Sequence, residues 1–173
     1  MSQQSVIDIQ QLTVAFDTEE VVKKISFAIH KNEIVGLVGE SGSGKSITSL
    51  AMTGLLPKNA EVSGRILFNG SDLVSLKRKA FRQLRGNQIA MIFQEPMSSL
   101  NPSMKCGDQV AEMIAQHRQL STKAIKKQVL ALFDQVKLPE PELIYQSYPH
   151  QISGGQKQRV MIAMAIACKP DLL

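Results

Sequence analysis

The stretch Gly39-Glu40-Ser41-Gly42-Ser43-Gly44-Lys45-Ser46 decides the fold. Two glycines separated by four residues and followed by Lys and Ser form the pattern of a loop that cradles phosphate. Upstream, Ile34, Val35, Leu37 and Val38 make a short, nearly continuous apolar run, as expected of a parallel strand buried on both faces. Downstream, Ile47 to Leu56 carries apolar residues at Ile47, Leu50, Ala51 and Leu55, so a helix is expected to begin at the loop. Strand, loop and helix together are the context that the motif requires.

The chemistry follows from geometry. Glycines at 39, 42 and 44 remove Cβ atoms that would hold a phosphate away from the main chain. The amides from Gly39 to Ile47, with Glu40, Ser41 and Ser43 between the glycines, can then converge on one anion, aided by the dipole of the helix that follows. Lys45 supplies a full positive charge to the β and γ phosphates, and the Ser46 hydroxyl is a hard oxygen suited to Mg²⁺. Nucleotide binding is the expectation.

The composition suits one globular domain, with 43% hydrophobic and 20% charged residues among 173. No apolar run reaches the roughly 20 residues that span a bilayer, and no secretory leader opens the chain, so a cytosolic location is expected. Cys106 and Cys168 fall in no Cys-x-x-Cys or Cys/His spacing, which points to reduced thiols and away from zinc. The net charge of +5 is spread over several segments, and a nucleotide accounts for part of it.

Ile7, Ile9, Leu12, Val14 and Phe16 alternate with polar residues, with a change of phase at Gln10 and Gln11 that predicts a bulge. Ile25, Phe27 and Ile29 repeat the alternation after a polar turn over Asp17 to Glu20, giving two antiparallel strands with one buried face. Gly64 to Phe68 is a further strand ending in the turn pair Asn69-Gly70. Leu73 to Leu84 is expected to form a short basic helix bearing Lys77, Arg78, Lys79 and Arg82, with Arg85 just past it. Gln88 to Phe93 resembles a second buried strand, implying a mostly parallel sheet, and Gln94 stands at its end before Glu95 and Pro96. Val110 to His117 and Lys123 to Val136 are predicted amphipathic helices of an insertion spanning about 97–150.

Ile152-Ser153-Gly154-Gly155-Gln156 opens another helix. Ser153 and Gln156 are spaced as a capping box, which leaves Gly154 and Gly155 unexplained. Glycines in a first turn cost helix stability, and what they offer is close approach of the backbone to an anion. A second phosphate-ready helix start fits two subunits facing each other, each capping the nucleotide of its partner.

With these elements in order, the sequence resembles the ATP-binding-cassette ATPases, the motor subunits of ABC transporters, over essentially its whole length. Phe93-Gln94-Glu95-Pro96-Met97-Ser98-Ser99-Leu100-Asn101-Pro102 and Tyr148-Pro149-His150-Gln151 are similar to the bacterial peptide and nickel importer subfamily. The resemblance implies an α/β P-loop fold with an antiparallel β subdomain and a helical subdomain. In segments, these are 1–96 for the β region and nucleotide core, 97–150 for the helical subdomain, and 151–173 for the signature helix and the start of the next strand. It implies Phe16 stacking on adenine, Gln94 reaching Mg²⁺ and the attacking water, and the signature residues Ser153, Gly154, Gly155 and Gln156 binding nucleotide across a head-to-tail dimer, with Ser153 and Gly155 contacting the γ phosphate. It further implies ATP and Mg²⁺ as cofactors, and a second ATPase subunit and membrane permeases as partners. An extracytoplasmic solute-binding protein would be an indirect partner, and the location would be peripheral, on the cytoplasmic membrane face. Nucleic acid is not an expected partner, although a nucleic-acid-coupled cassette using the basic 77–85 face is the alternative.

The family follows its signature helix with a strand ending in Asp-Glu and later with a switch histidine. This chain reaches only Leu172-Leu173, at the start of that strand, and Asp171 precedes it. His117 and His150 do not match the histidine. The expectation is a piece of a longer protein with an incomplete core sheet. Alone, such a piece would bind Mg-ATP weakly and hydrolyse it poorly, or act as a non-hydrolysing nucleotide-binding fragment.

Overall fold

The computed structural model describes residues 5–94 and 99–173. The chain packs as two compact units, Met1–Arg82 with Leu172, and Gln83–Asp171 with Leu173.

In the first unit, β1 (Ser5–Phe16), β2 (Glu19–His30), β3 (Ala60–Phe68) and β4 (Ser71–Asp72) form an antiparallel sheet in the order β2-β1-β3-β4. The bulge falls where the alternation changes phase. Gln11 has φ 49°, and the pairing with both neighbours slips between Ile9 or Gln10 and the residues that follow. That one extra residue keeps Ile7, Ile9, Leu12 and Val14 all fully buried, each worth about 1.5–3 kcal/mol relative to exposure. Their partners include Phe68, Ile66, Ile25 and Val22 in turn. Opposite the bulge, Gly64 adopts φ +89°, and a Cβ there would lie 2.4 Å from the Gln11 carbonyl oxygen. Only glycine lets the strands approach so closely. Asn69 and Gly70, both at positive φ, turn β3 into β4 as a two-residue hairpin.

Helix α1 (Lys45–Thr53) stops earlier than its apolar spacing predicts. Gly54 enters the left-handed region, where its amide and that of Leu55 close back on Ala51 and Leu50, and the Phe81 ring packs against it. The basic helix is also shorter than expected, α2 covering Arg78–Leu84, with Lys77, Arg78, Lys79 and Arg82 exposed.

Two expected strands do not form. Residues 33–40 have no ladder partner, and Ile34 is 100% and Val38 90% exposed. In the Gln88–Phe93 stretch, Ile89 and Ala90 are buried, but pairing is limited to an isolated parallel bridge between Arg85 and Ile89. Apolar runs become strands only when another strand lies alongside, and among the described residues none does. The mostly parallel sheet is therefore absent from them.

The second unit is helical: α3 (Cys106–His117), α4 (Thr122–Gln135), α5 (Pro141–Gln146), a 3-10 turn (Pro149–Gln151) and α6 (Gly154–Ile166). Val110, Ile114, Val129, Phe133, Val160 and Ala163 form its fully buried centre. Ser121 caps α4 by accepting the Ala124 amide, and Gly107 lets α3 press on the Tyr145 ring of α5. The predicted start of the insertion, Met97, lies outside the described residues, as do Glu95, Pro96 and Ser98.

Candidate functional site

Residues Gly39 to Ser43 are exposed, Gly44 is buried, and α1 begins immediately after it. Gly42 and Gly44 have φ +82° and +84°, values that side chains oppose. At Gly44 the space is closed as well, because a Cβ would lie 2.9 Å from the Val21 carbonyl oxygen and 3.0 Å from Val22 Cγ2. The loop is thus seated against β2. The helix's first internal bond runs from the Thr48 amide to the Gly44 carbonyl at 2.8 Å, and the Thr48 hydroxyl donates to the same oxygen at 2.9 Å.

The amides of Lys45, Ser46 and Ile47 make no hydrogen bond among the described residues. Gly44 provides no capping side chain, and no acidic residue occupies the first turn. A helix start with orphan donors and no resident carboxylate attracts anions. Lys45 folds back over the loop, donating from Nζ to the carbonyls of Gly39 at 2.8 Å and Glu40 at 2.5 Å and to Ser43 Oγ at 3.3 Å. The ammonium thereby stays at the loop mouth. Ser46 is exposed and its hydroxyl has no hydrogen-bond partner among the described residues.

Phe16 is half-buried at the end of β1, paired with Glu19 and Ala60. Val21, against which Gly44 sits, lies two residues beyond Glu19, about 7 Å along the strand. The aromatic ring and the glycine loop therefore belong to the same end of the first unit.

The other predicted residues lie in the second unit. Gln94 is exposed at the end of its extended stretch. Ser153 caps α6 reciprocally: its Oγ accepts the Gln156 amide at 3.3 Å while the Gln156 side chain accepts the Ser153 amide at 2.7 Å. Gly154 and Gly155 are exposed, and among the described residues their amides make no hydrogen bond and a Cβ on either would meet nothing within 4 Å. This is a second open pair of donors. No cluster of His, Cys, Asp or Glu suited to a metal occurs among the described residues, so any Mg²⁺ here would depend on Ser46, phosphate oxygens and water. Burial raises the thiols of Cys168 and of Cys106, the latter to about 11.

Some structural residues escaped the sequence reading. Buried Gln109 clamps the loop after Ser99, its Oε1 accepting the Asn101 amide at 2.9 Å and its Nε2 donating to the carbonyls of Asn101 and Met104. A polar side chain beside the apolar Cys106, Val110 and Ile114 stripe of α3 was the available signal.

The chain belongs to the ABC transporter family, whose model matches residues 22–173. It is 46% identical over 176 residues to the dipeptide transport ATP-binding protein DppD of Bacillus subtilis, covering 98% of this chain and 52% of that protein. It is 41% identical over 173 residues to the oligopeptide transport ATP-binding protein OppD of Escherichia coli, covering 98% of this chain and 51% of that protein. The chain thus spans about half the length of these curated relatives. Its fold matches a bacterial ABC transporter cassette solved as a dimer, with TM-score 0.82 at 26% identity, covering 95% of this chain and 70% of that one. The same cassette is also known in a dimeric post-hydrolysis state bound to ADP and Pi, with TM-score 0.82 at 25% identity over the same shares. The α/β P-loop cassette expected from the sequence is the fold.

Proposed function

We propose that the chain forms the nucleotide-binding part of the energy-coupling ATPase of an importer for peptides or a related small solute. The observation that carries this reading is the start of α1: three unbonded amides, a glycine seat closed to any side chain, and the Lys45 ammonium at the mouth. In this reading the amides of Lys45, Ser46 and Ile47 hold the β phosphate of ATP, helped by the dipole of α1, worth up to about 2 kcal/mol in a partly buried setting. Lys45 exchanges its loop carbonyls for phosphate oxygens, so its charge is already in place when the nucleotide arrives. Phe16 offers an aromatic face to the adenine. Ser46 would hold Mg²⁺ beside the phosphate oxygens, and the ion would supply charge neutralisation between the phosphates.

Gly154 and Gly155 meet the γ phosphate held by a second ATPase subunit, identical or related, in a head-to-tail pair. ATP then joins the two subunits, and its hydrolysis in the whole protein releases them. The helical unit grips the permease, and a solute-binding protein delivers cargo on the far side. No described helix is long and apolar enough to cross a membrane, which is consistent with a peripheral place on its cytoplasmic face. The homologues named for dipeptide and oligopeptide transport support peptide as the solute class.

The test is ATP titration and phosphate release with the full-length subunit in its assembled transporter, beside Lys45→Ala and Gly155→Asp. Lys45→Ala should lose nucleotide affinity, and Gly155→Asp should bind ATP but turn it over slowly. Undiminished binding in the first, or an unchanged rate in the second, would overturn the assignment of that residue.

A further inference from the structure

Helix α2 turns one side inward and the other to solvent. Phe81 is buried with its ring against Gly54, and Ala80 beside it is half-buried. At 3.6 residues per turn, Arg78, Arg82 and Lys79 span about 100° around the axis on the solvent side, and Lys77 stands directly before them. All four cations are exposed, and among the described residues none of their side chains makes a hydrogen bond or an ion pair. No Asp or Glu occurs between Asp72 and Glu95. Asp72 itself is occupied, its Oδ1 accepting the amides of Ile66 at 3.3 Å and Val74 at 3.1 Å. The stretch therefore holds no carboxylate that neutralises the face.

Aliphatic side chains flank the cations. Val74, three residues before Lys77, is 38% exposed, and Leu55, next to the Gly54 that meets Phe81, is 39% exposed. The aromatic residues of 54–82 are Phe68 and Phe81, and both are buried. Single-stranded nucleic acid is held by cations together with exposed rings on which bases stack, and this surface offers no ring. Cations beside a leucine and a valine suit a bilayer instead, where the headgroups can be anionic and the acyl boundary accepts aliphatic side chains.

We infer that the cationic face of α2, flanked by Leu55 and Val74, is a contact surface for anionic phospholipid headgroups. Each Lys or Arg near such a surface raises affinity about fivefold, so four of them together give several hundredfold. The contact needs neither nucleotide nor permease. It therefore goes beyond the proposed function and does not depend on it.

The experiment sediments the full-length subunit, without permease, with vesicles of phosphatidylcholine alone or mixed with phosphatidylglycerol, and measures its binding to an oligonucleotide alongside. The mixed vesicles should carry the subunit down and the neutral ones should not. Raising salt from about 0.1 M to 1 M, which shortens the screening length from roughly 10 Å to 3 Å, should release it. The combined variant Arg78→Gln, Lys79→Gln, Arg82→Gln should lose roughly 100-fold in partition, with ATP affinity and urea midpoint unchanged. Arg78→Lys with Arg82→Lys should keep its partition, because charge rather than the guanidinium fork is read. Equal binding to both kinds of vesicle, or a combined variant that partitions like wild type, would refute the inference. Oligonucleotide binding that the combined variant loses, with no binding to mixed vesicles, would also refute it and assign the face to nucleic acid. Should the combined variant lose ATP affinity too, Lys79→Gln and Arg82→Gln decide singly: each should lose about fivefold, and unchanged partition in both refutes the contact.

Discussion

Gly42 and Gly44 share nearly the same backbone angle, φ +82° and +84°, but differ in surroundings. Alanine at either position pays about 1–2 kcal/mol for the left-handed conformation and gains the same small amount from a stiffer unfolded chain. These contributions cancel on subtraction. What remains is space: at Gly42 a Cβ meets nothing within 4 Å, whereas at Gly44 it sits 2.9 Å from the backbone oxygen of Val21. A strand carbonyl cannot rotate aside as a side chain can, so α1 or β2 must move, at a further cost of about 1–3 kcal/mol by analogy with overpacked cores. Urea unfolding of the full-length subunit should therefore show Gly44→Ala less stable than Gly42→Ala by that difference, with nucleotide affinity falling as the loop leaves its seat. Equal stability of the two variants would refute the seating of the loop on β2.

Removing the Lys45 ammonium deletes a charge-assisted contact worth about 1.5–3 kcal/mol. Lys45→Ala should thus weaken ATP binding roughly 10- to 100-fold with little change in circular dichroism, as followed by calorimetric titration. Ser153→Ala removes the cap that accepts the Gln156 amide and should destabilise the helical unit by about 0.5–2 kcal/mol, read as a lower urea midpoint. Gly155→Asp should separate stability from activity, since an acidic residue in a first turn favours the helix by about 0.3–1 kcal/mol while opposing phosphate; a melting temperature that falls would contradict this. Cys106, raised from 9.0 to about 11 by desolvation, binds its proton more tightly when folded. Its contribution to stability is complete below pH 9 and is lost as pH rises toward 11. Urea midpoints of wild type and Cys106→Ala should draw together across that window, and alkylation of the native thiol at neutral pH should be slow.

The sequence disclosed most where one residue type has one physical use. The phase change at Gln10-Gln11 marked a bulge because alternation allows no other account, and Ser153 with Gln156 marked a helix start through reciprocal bonds that the structure contains. The glycine-and-lysine loop was equally plain. Strand formation at Ile34–Val38 was not, because hydrophobicity records a tendency to be covered and says nothing of whether a neighbour lies alongside. The ends of α1 and α2 were misjudged where tertiary contacts decided them, as when Phe81 met Gly54. Gln109 was invisible for a different reason: it binds main-chain carbonyls, which every residue possesses and no motif encodes.

The main-chain amides of residues 34–38 have no acceptor among the described residues. In deuterated water they should take up label at close to the rate of a free peptide, while the central strand around Ile7 and Ile9 retains its protons far longer. Slow labelling at Val35 or Leu37 in any preparation would therefore be a direct signal that another segment of main chain has come to lie along this one. It could be read peptide by peptide, without a crystal and without knowing beforehand where the visiting segment originates.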